Sequence, residues 1–261
     1  MSKWMANDGT LINYEVHGNR PGKETLLMLH GLLGSSSSQW REFVDPLAFK
    51  FRVILVDLRG HGQSDNMDTT LNPERVLSDV EGLIDYLEVD WLHVAGYDFG
   101  GYLGLMLHLQ QPERVRSLVM HATKFYWPDY TTKRMMKNLD PDQMSTKVPG
   151  YASQLVVEHG AGRWRSLVRQ SADLISQIST NGITERMAGF TSCPILVSVG
   201  DRDEMIPVAE AARFSCVFEK GALLVLPGVS HSFHAASTQA LLPPILSFLA
   251  YRGSSWLRRG K

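Results

Sequence analysis

The stretch VAGYDFGGYLG, residues 94–104, carries the spacing Gly96-x-Asp98-x-Gly100. An apolar run enters it and a helical pattern leaves it, so it reads as strand, sharp turn and helix. In that spacing the central residue is commonly a serine nucleophile, lifted above a sheet by a strained turn that tolerates only small neighbours. Here it is aspartate. A serine hydroxyl must lose a proton to attack, whereas a carboxylate is already ionised, with a reference pKa of about 3.9. Attack on a carbonyl would give a reactive anhydride. A carboxylate suits displacement at a saturated carbon that carries a halide or an epoxide oxygen. The product would be an alkyl ester on Asp98, to be hydrolysed by an activated water. A structural explanation competes: aspartate is a preferred helix N-cap, and a helix N-terminus favours negative charge.

Three more stretches hold chemistry-bearing residues just after apolar runs. They are HGLLGS (30–35), GDRDEMIP (200–207) with Asp201 and Asp203, and PGVSHSF (227–233) with His231, followed by His234. A histidine to activate water and a carboxylate to orient it would complete the chemistry.

The elements that must position these residues follow from apolar patterning. TLLMLH (25–30), RVILVD (52–57), WLHVAG (91–96), RSLVMHA (116–122), PILVSVG (194–200) and ALLVLPG (222–228) are apolar at nearly every position, as strands buried on both faces of a parallel sheet are. LINYEVHG (11–18) alternates and predicts an antiparallel lead-in strand. Helical patterns cover 73–89, opening on Pro73 and Glu74, then 99–115 and 238–253, where Pro243 and Pro244 should bend or delay the helix. The alternation predicts an α/β fold, a doubly wound and mostly parallel sheet. From 124 to 190 no strong strand occurs; helical patterns lie near 141–158 and 162–179. Residues 124–190 are therefore expected to form a helical cap over the sheet's carboxyl edge, where ligands bind. Residues 1–123 and 191–261 would form the core domain. The SSSS at 35–38 is too short for a linker, and the basic tail SSWLRRGK is expected to fray.

These stretches, with DLRGHGQSD (57–65), resemble the α/β-hydrolase superfamily over nearly the whole chain, in the family's order of nucleophile, acid and histidine. The resemblance implies the triad Asp98, Asp203 and His231. It prefers Asp203 over Asp201, because the family pattern is Gly-x-x-Asp ahead of a short apolar stretch and Pro. It leaves His234 as a loop or helix-start residue and His30 and His61 as scaffold. It also implies an oxyanion hole from the backbone N–H groups of Leu32 and Phe99. Asp98 is similar to the nucleophile of haloalkane dehalogenases and epoxide hydrolases. Other features depart from those branches. They follow HG with an aromatic or Asn and then Pro, where this chain has HGLLG. Dehalogenases place Trp after the nucleophile to bind halide, or Arg in the fluoroacetate branch, where Phe99 cannot donate. Epoxide hydrolases use two cap tyrosines as acids, for which Tyr126, Tyr130 and Tyr151 are available. Each of them, like Trp127 and Trp164, also reads as packing. HGLLGSSSSQW and HGAGRWRSLV (159–168) resemble small serine esterases, including the valacyclovir-hydrolase-like group.

Three functions stay open on this reading. Asp98 acts as covalent nucleophile on an epoxide or alkyl halide; or an esterase-like scaffold hydrolyses a carboxylic ester or lactone, with Asp98 as base for water; or a disabled elbow leaves a non-catalytic ligand-binding protein. The 261 residues carry a formal net charge of −1 and 44% hydrophobic content. These values supply no reason to expect a nucleic-acid or membrane partner. No apolar run spans a bilayer, the N-terminus lacks a signal-peptide core, and two cysteines, Cys193 and Cys216, make no framework. A cytoplasmic, reduced protein is expected. Neither metal-ligand spacing nor a dinucleotide fingerprint occurs, so no cofactor is expected. The partner would be a small, largely apolar substrate, in a pocket walled by Leu32, Phe99, Tyr126, Trp127, Tyr130, Met135, Met136 and Tyr151. The patterning sets no oligomeric state.

Overall fold

The computed structural model describes residues 2–236 and 238–250. In chain order the elements are β1 (Ser2–Met5), β2 (Leu11–His17), β3 (Thr25–Leu29), α1 (Ser36–Lys50), β4 (Arg52–Val56), α2 (Pro73–Tyr86), β5 (Leu92–Tyr97), α3 (Phe99–Gln110) and β6 (Val115–His121). Helices α4 (Asp129–Asn138), α5 (Pro141–Lys147), α6 (Pro149–His159), α7 (Trp164–Asn181) and α8 (Glu185–Ala188) follow. The chain then returns through β7 (Ile195–Arg202), α9 (Val208–Ser215), β8 (Gly221–Ser230), a 3-10 turn (Phe233–Ala235) and α10 (Thr238–Ala250).

The strands form one eight-stranded sheet in the order β1-β2-β4-β3-β5-β6-β7-β8. β2 runs antiparallel to β4, and every pairing from β4 to β8 is parallel. The continuous apolar runs fill the middle of this sheet because helices cover both faces. Leu26, Leu27, Met28 and Leu29 are fully buried, and each buried side chain of this size contributes about 1.5–3 kcal/mol. The short β1 has no counterpart in the patterning. Its four residues, SKWM, are mostly exposed and pair only with the edge of β2.

The serine run at 35–38 starts α1. Ser35 Oγ accepts the Ser38 N–H at 3.2 Å, and Ser38 Oγ accepts the Ser35 N–H at 3.0 Å. This is a capping box with serine in the position usually held by Glu. The buried stripe Trp40, Phe43, Val44 and Leu47 then packs toward the sheet. Helix α10 is not delayed by its prolines. It begins at Thr238 and runs through Pro243 and Pro244; these withdraw two donors from the helical ladder, while Leu241, Ile245, Phe248 and Leu249 bury its apolar face. The rest of the pattern expected to 253, and the basic tail, lie outside the described residues.

Candidate active site

Each chemistry-bearing residue sits where a parallel strand ends. β5 stops at Tyr97 and α3 starts at Phe99, leaving Asp98 alone in the turn. Its φ of 48° and ψ of −116° lie in a region that side-chain-bearing residues rarely adopt, at a cost of about 1–3 kcal/mol. The flanking glycines are a packing requirement. A Cβ on Gly96 would fall 2.3 Å from the backbone of Gly100, and one on Gly100 would fall 2.2 Å from the Leu29 carbonyl oxygen. The Asp98 N–H is tied to the His121 carbonyl at 2.9 Å.

Asp98 stands at the N-cap position, yet its side chain makes no capping hydrogen bond. Its Oδ2 instead accepts the N–H of Leu32, 66 positions earlier, at 3.1 Å. Burial pushes the carboxyl above its ordinary value. The charge of His231 and the N–H groups of Phe99 and Leu32 act in the opposite direction, favouring the ionised form.

β7 and β8 deliver the other two groups. His231 Nδ1 lies 3.0 Å from Asp203 Oδ2 and 3.2 Å from Oδ1. The Asp203 side chain is fully buried, and its Oδ1 also accepts the N–H groups of Met205 at 2.9 Å and Ile206 at 2.8 Å. Burial of Asp203 works against its charge, but His231 and the two N–H groups prevail and hold it below the usual carboxylate value. For His231, burial lowers the pKa, but Asp203 and Asp98 outweigh it and raise the imidazole above its ordinary value. Nδ1–H is thereby committed to Asp203, leaving Nε2 able to accept a proton. Asp201 is engaged elsewhere, its Oδ1 accepting the Gly228 N–H at 2.6 Å. His234 is exposed on the 3-10 turn, although it reaches the cavity lining. Tyr97 supports the histidine loop, its hydroxyl donating to the His231 carbonyl at 2.8 Å.

Asp98 and His231 line one cavity of about 480 Å³ between the strand ends and the helical insertion. Leu32 and Phe99 form its floor; Trp127, Met135 and Tyr151 line it from the insertion. Tyr151 is 40% exposed as a residue, while local desolvation, with the charges of Glu158 and Asp98, pushes its phenol up to about 12. It therefore stays protonated and can donate. Trp127 Nε1 is buried with no hydrogen-bond partner among the described residues.

Three residues expected in the wall do not line this cavity. Tyr126 donates its hydroxyl to Glu185 and lies under the guanidinium of Arg213, 4.6 Å from the ring centre. Tyr130 is 72% exposed on α4, and Met136 on the same helix is 37% exposed. The insertion is helical, so one face of each helix turns away from the core, and sequence position within it does not say which. Trp164 packs in the interior at 5% exposure, apart from the cavity. Residues without any signal in the patterning also reach the lining. Glu158 bonds Ser38 Oγ, Glu204 accepts the His231 N–H at 3.2 Å, and Lys124 holds both oxygens of Glu210 at 2.7 and 2.8 Å. Among the described residues no group of three or more His, Cys, Asp or Glu is placed to hold a metal ion, and no helix is long and apolar enough to cross a membrane.

Residues 24–156 match the family described as alpha/beta hydrolase fold. The chain is similar to a RutD protein of Caulobacter sp. (strain K31) that bears a carbamate hydrolase name. The two are 26% identical over 257 residues, 91% of this chain and 95% of that protein. Among solved structures it is similar in fold to the enol-lactonase from Burkholderia xenovorans LB400, with TM-score 0.76 and 19% identity over 95% of this chain and 100% of the other. It is likewise similar to a protein that bears an ancestral haloalkane dehalogenase name, with TM-score 0.79 and 18% identity over 98% of this chain and 100% of the other. With a matching family profile over half its length and this sheet and cap, the chain belongs to the alpha/beta hydrolase fold family and is a hydrolase.

Proposed function

We propose that Asp98 is a covalent nucleophile toward the saturated carbon of an epoxide or alkyl halide. The observation that carries this reading is the 3.1 Å bond from the Leu32 N–H to Asp98 Oδ2. In an esterase the oxyanion hole must receive the substrate's carbonyl oxygen. Here an oxygen of the enzyme's own carboxylate already occupies it, which is the geometry needed when the acyl group to be hydrolysed is that of Asp98.

The steps follow from that placement. Oδ1 of Asp98 attacks the carbon, a C–O bond forms, and the bond to halide or epoxide oxygen breaks with its electron pair on the leaving atom. An opened epoxide oxygen takes a proton, for which Tyr151 is the donor in the cavity wall. A leaving halide would meet the unpartnered Trp127 N–H. His231 Nε2 then removes a proton from water, whose oxygen adds to Cγ of Asp98. The charge that develops on Oδ2 is met by the N–H groups of Leu32 and Phe99, an arrangement in which one donor is worth about 2.7–4 kcal/mol. Collapse of the tetrahedral intermediate releases the alcohol, which takes the proton from His231, and leaves Asp98 as a carboxylic acid with one oxygen from water. Its proton then returns to the Tyr151 phenolate after an epoxide, or passes to solvent after a halide, and the carboxylate is restored.

A second reading, ester or lactone hydrolysis with Asp98 as base for water, is favoured by the fold likeness to an enol-lactonase. Parallel turnover of styrene oxide, bromobutane and p-nitrophenyl acetate separates the two, with His231→Ala as blank. Epoxide or bromide turnover that disappears in Asp98→Ser supports the nucleophile. Turnover of the ester alone, retained or increased in Asp98→Ser, overturns it.

A further inference from the structure

Three fully buried histidines meet beside the oxyanion turn. They are His30 after β3, His61 after β4, and His159 at the end of α6. The ring centres of His30 and His61 are 5.1 Å apart, and those of His61 and His159 are 5.8 Å apart. Their partners assign the tautomers. His30 Nε2 accepts the Leu58 N–H at 2.9 Å, so its Nδ1–H donates to the Gly31 carbonyl at 2.8 Å. His159 Nδ1 accepts the Gly62 N–H at 2.9 Å, so its Nε2–H donates to the Leu33 carbonyl at 3.0 Å. His61 Nδ1–H donates to the Arg59 carbonyl at 2.9 Å. The nearby Asp57 is engaged by Ser36, Asn13 and Gln63 and does not bond these rings.

The Gly31 carbonyl and the Leu32 N–H belong to one peptide plane. The oxyanion donor is thus flanked by two carbonyls held by histidines, Gly31 from the core and Leu33 from the insertion. Leu33 has a φ of 59°, a left-handed conformation that costs a side-chain-bearing residue roughly 1–2 kcal/mol. Its carbonyl is held in that conformation by a helix that belongs to the wall of the cavity.

We infer that His159 is a positioning residue: through its bonds to Leu33 and Gly62, helix α6 sets the Leu32 N–H against Asp98, so the oxyanion hole is complete only when the cap is seated. This rests on Leu32 being the oxyanion donor and holds for either substrate class above. The ring is a two-sided fastener, donating to one core turn and accepting from the other.

The test compares His159→Phe, which fills the volume without either bond, with His159→Gln, whose amide can restore one. Backbone hydrogen exchange of residues 31–36 is measured without substrate, beside the melting temperature. In His159→Phe, exchange of 31–36 should rise about tenfold relative to strands β4 to β6, the effect of losing one hydrogen bond. His159→Gln should return most of it. On whichever probe of the panel is turned over, kcat should fall about tenfold in the Phe variant with KM within about twofold. Unchanged exchange at 31–36 in a folded Phe variant, an equal rise throughout the sheet, or a change in KM alone would overturn the inference. If none of the three probes is turned over, the functional reading fails while the exchange comparison still decides the role of His159.

Discussion

Replacing His231 by Gln separates the two chemical steps proposed for this site. The first step uses the Asp98 carboxylate, a saturated carbon and, for an epoxide, the Tyr151 proton, but not His231. The second needs a base, and His231, oriented by Asp203 at 3.0 Å and lining the cavity with Asp98, is the group proposed for it. Losing a positioned general base slows its step by roughly 10²–10⁴-fold, whereas alkylation does not use it. The Leu32 N–H remains in place, so the ester forms normally and its hydrolysis becomes the bottleneck. The expected result with styrene oxide is one equivalent consumed per chain, followed by near arrest. The protein's mass should rise by that of one epoxide, and peptide mapping should place the adduct on Asp98. The complementary assay uses the unmodified protein in heavy-oxygen water. Each turnover exchanges one carboxylate oxygen of Asp98 with solvent, so the label should enter that residue. Steady turnover by His231→Gln with no adduct, or label found only in the product, would refute covalent catalysis and leave Asp98 as at most a base.

Asp203→Asn should lower kcat by roughly 10³–10⁴-fold, because an amide beside Nδ1 favours the wrong tautomer of His231; a steady-state assay on the responsive probe checks it, and a loss under tenfold would remove Asp203 from the triad. Two pH effects of different origin are expected. His231 must be neutral to act, and its raised pKa should put the acid limb of kcat above the ordinary histidine value of 6.5. Stability should move with the buried histidines. Burial is the main cause that holds His121 at about 4 against an ordinary 6.5, so the unfolded chain takes up a proton that the folded chain refuses. That contribution is complete above the unfolded value and is lost as pH falls from 6.5 toward 4, reaching about 2 kcal/mol at pH 5. His30, His61 and His159 are lowered as well and add in the same direction, while His231, being raised, opposes them. Urea unfolding at pH 7 and pH 5 reads the sum, and equal midpoints would contradict a neutral state for the buried rings.

The strands were readable in the chain because residues such as Leu26–Leu29 are buried on both faces, and that condition writes a continuous apolar run. The elbow was readable because its steric demand falls on its neighbours: no Cβ fits at Gly96 or Gly100. The order Asp98, Asp203, His231 likewise survives in linear form, since each residue follows its own strand. Other features had no linear trace. β1 is too short and exposed to carry a pattern, and the prolines of α10 signalled a delay that burial of Leu241 and Ile245 overrides. Three tyrosines in the insertion were equivalent by composition, yet Tyr126 bonds Glu185, Tyr130 faces outward and Tyr151 lines the cavity. The same holds for His159 on Leu33, 126 residues apart, whereas the role of the Leu32 N–H beside Asp98, 66 residues apart, was legible only through the family resemblance. Residue type and local period state which groups a strand end can present. Which of those groups meet depends on how loops distant in the chain pack over one another, and short-range periodicity carries no term for that packing.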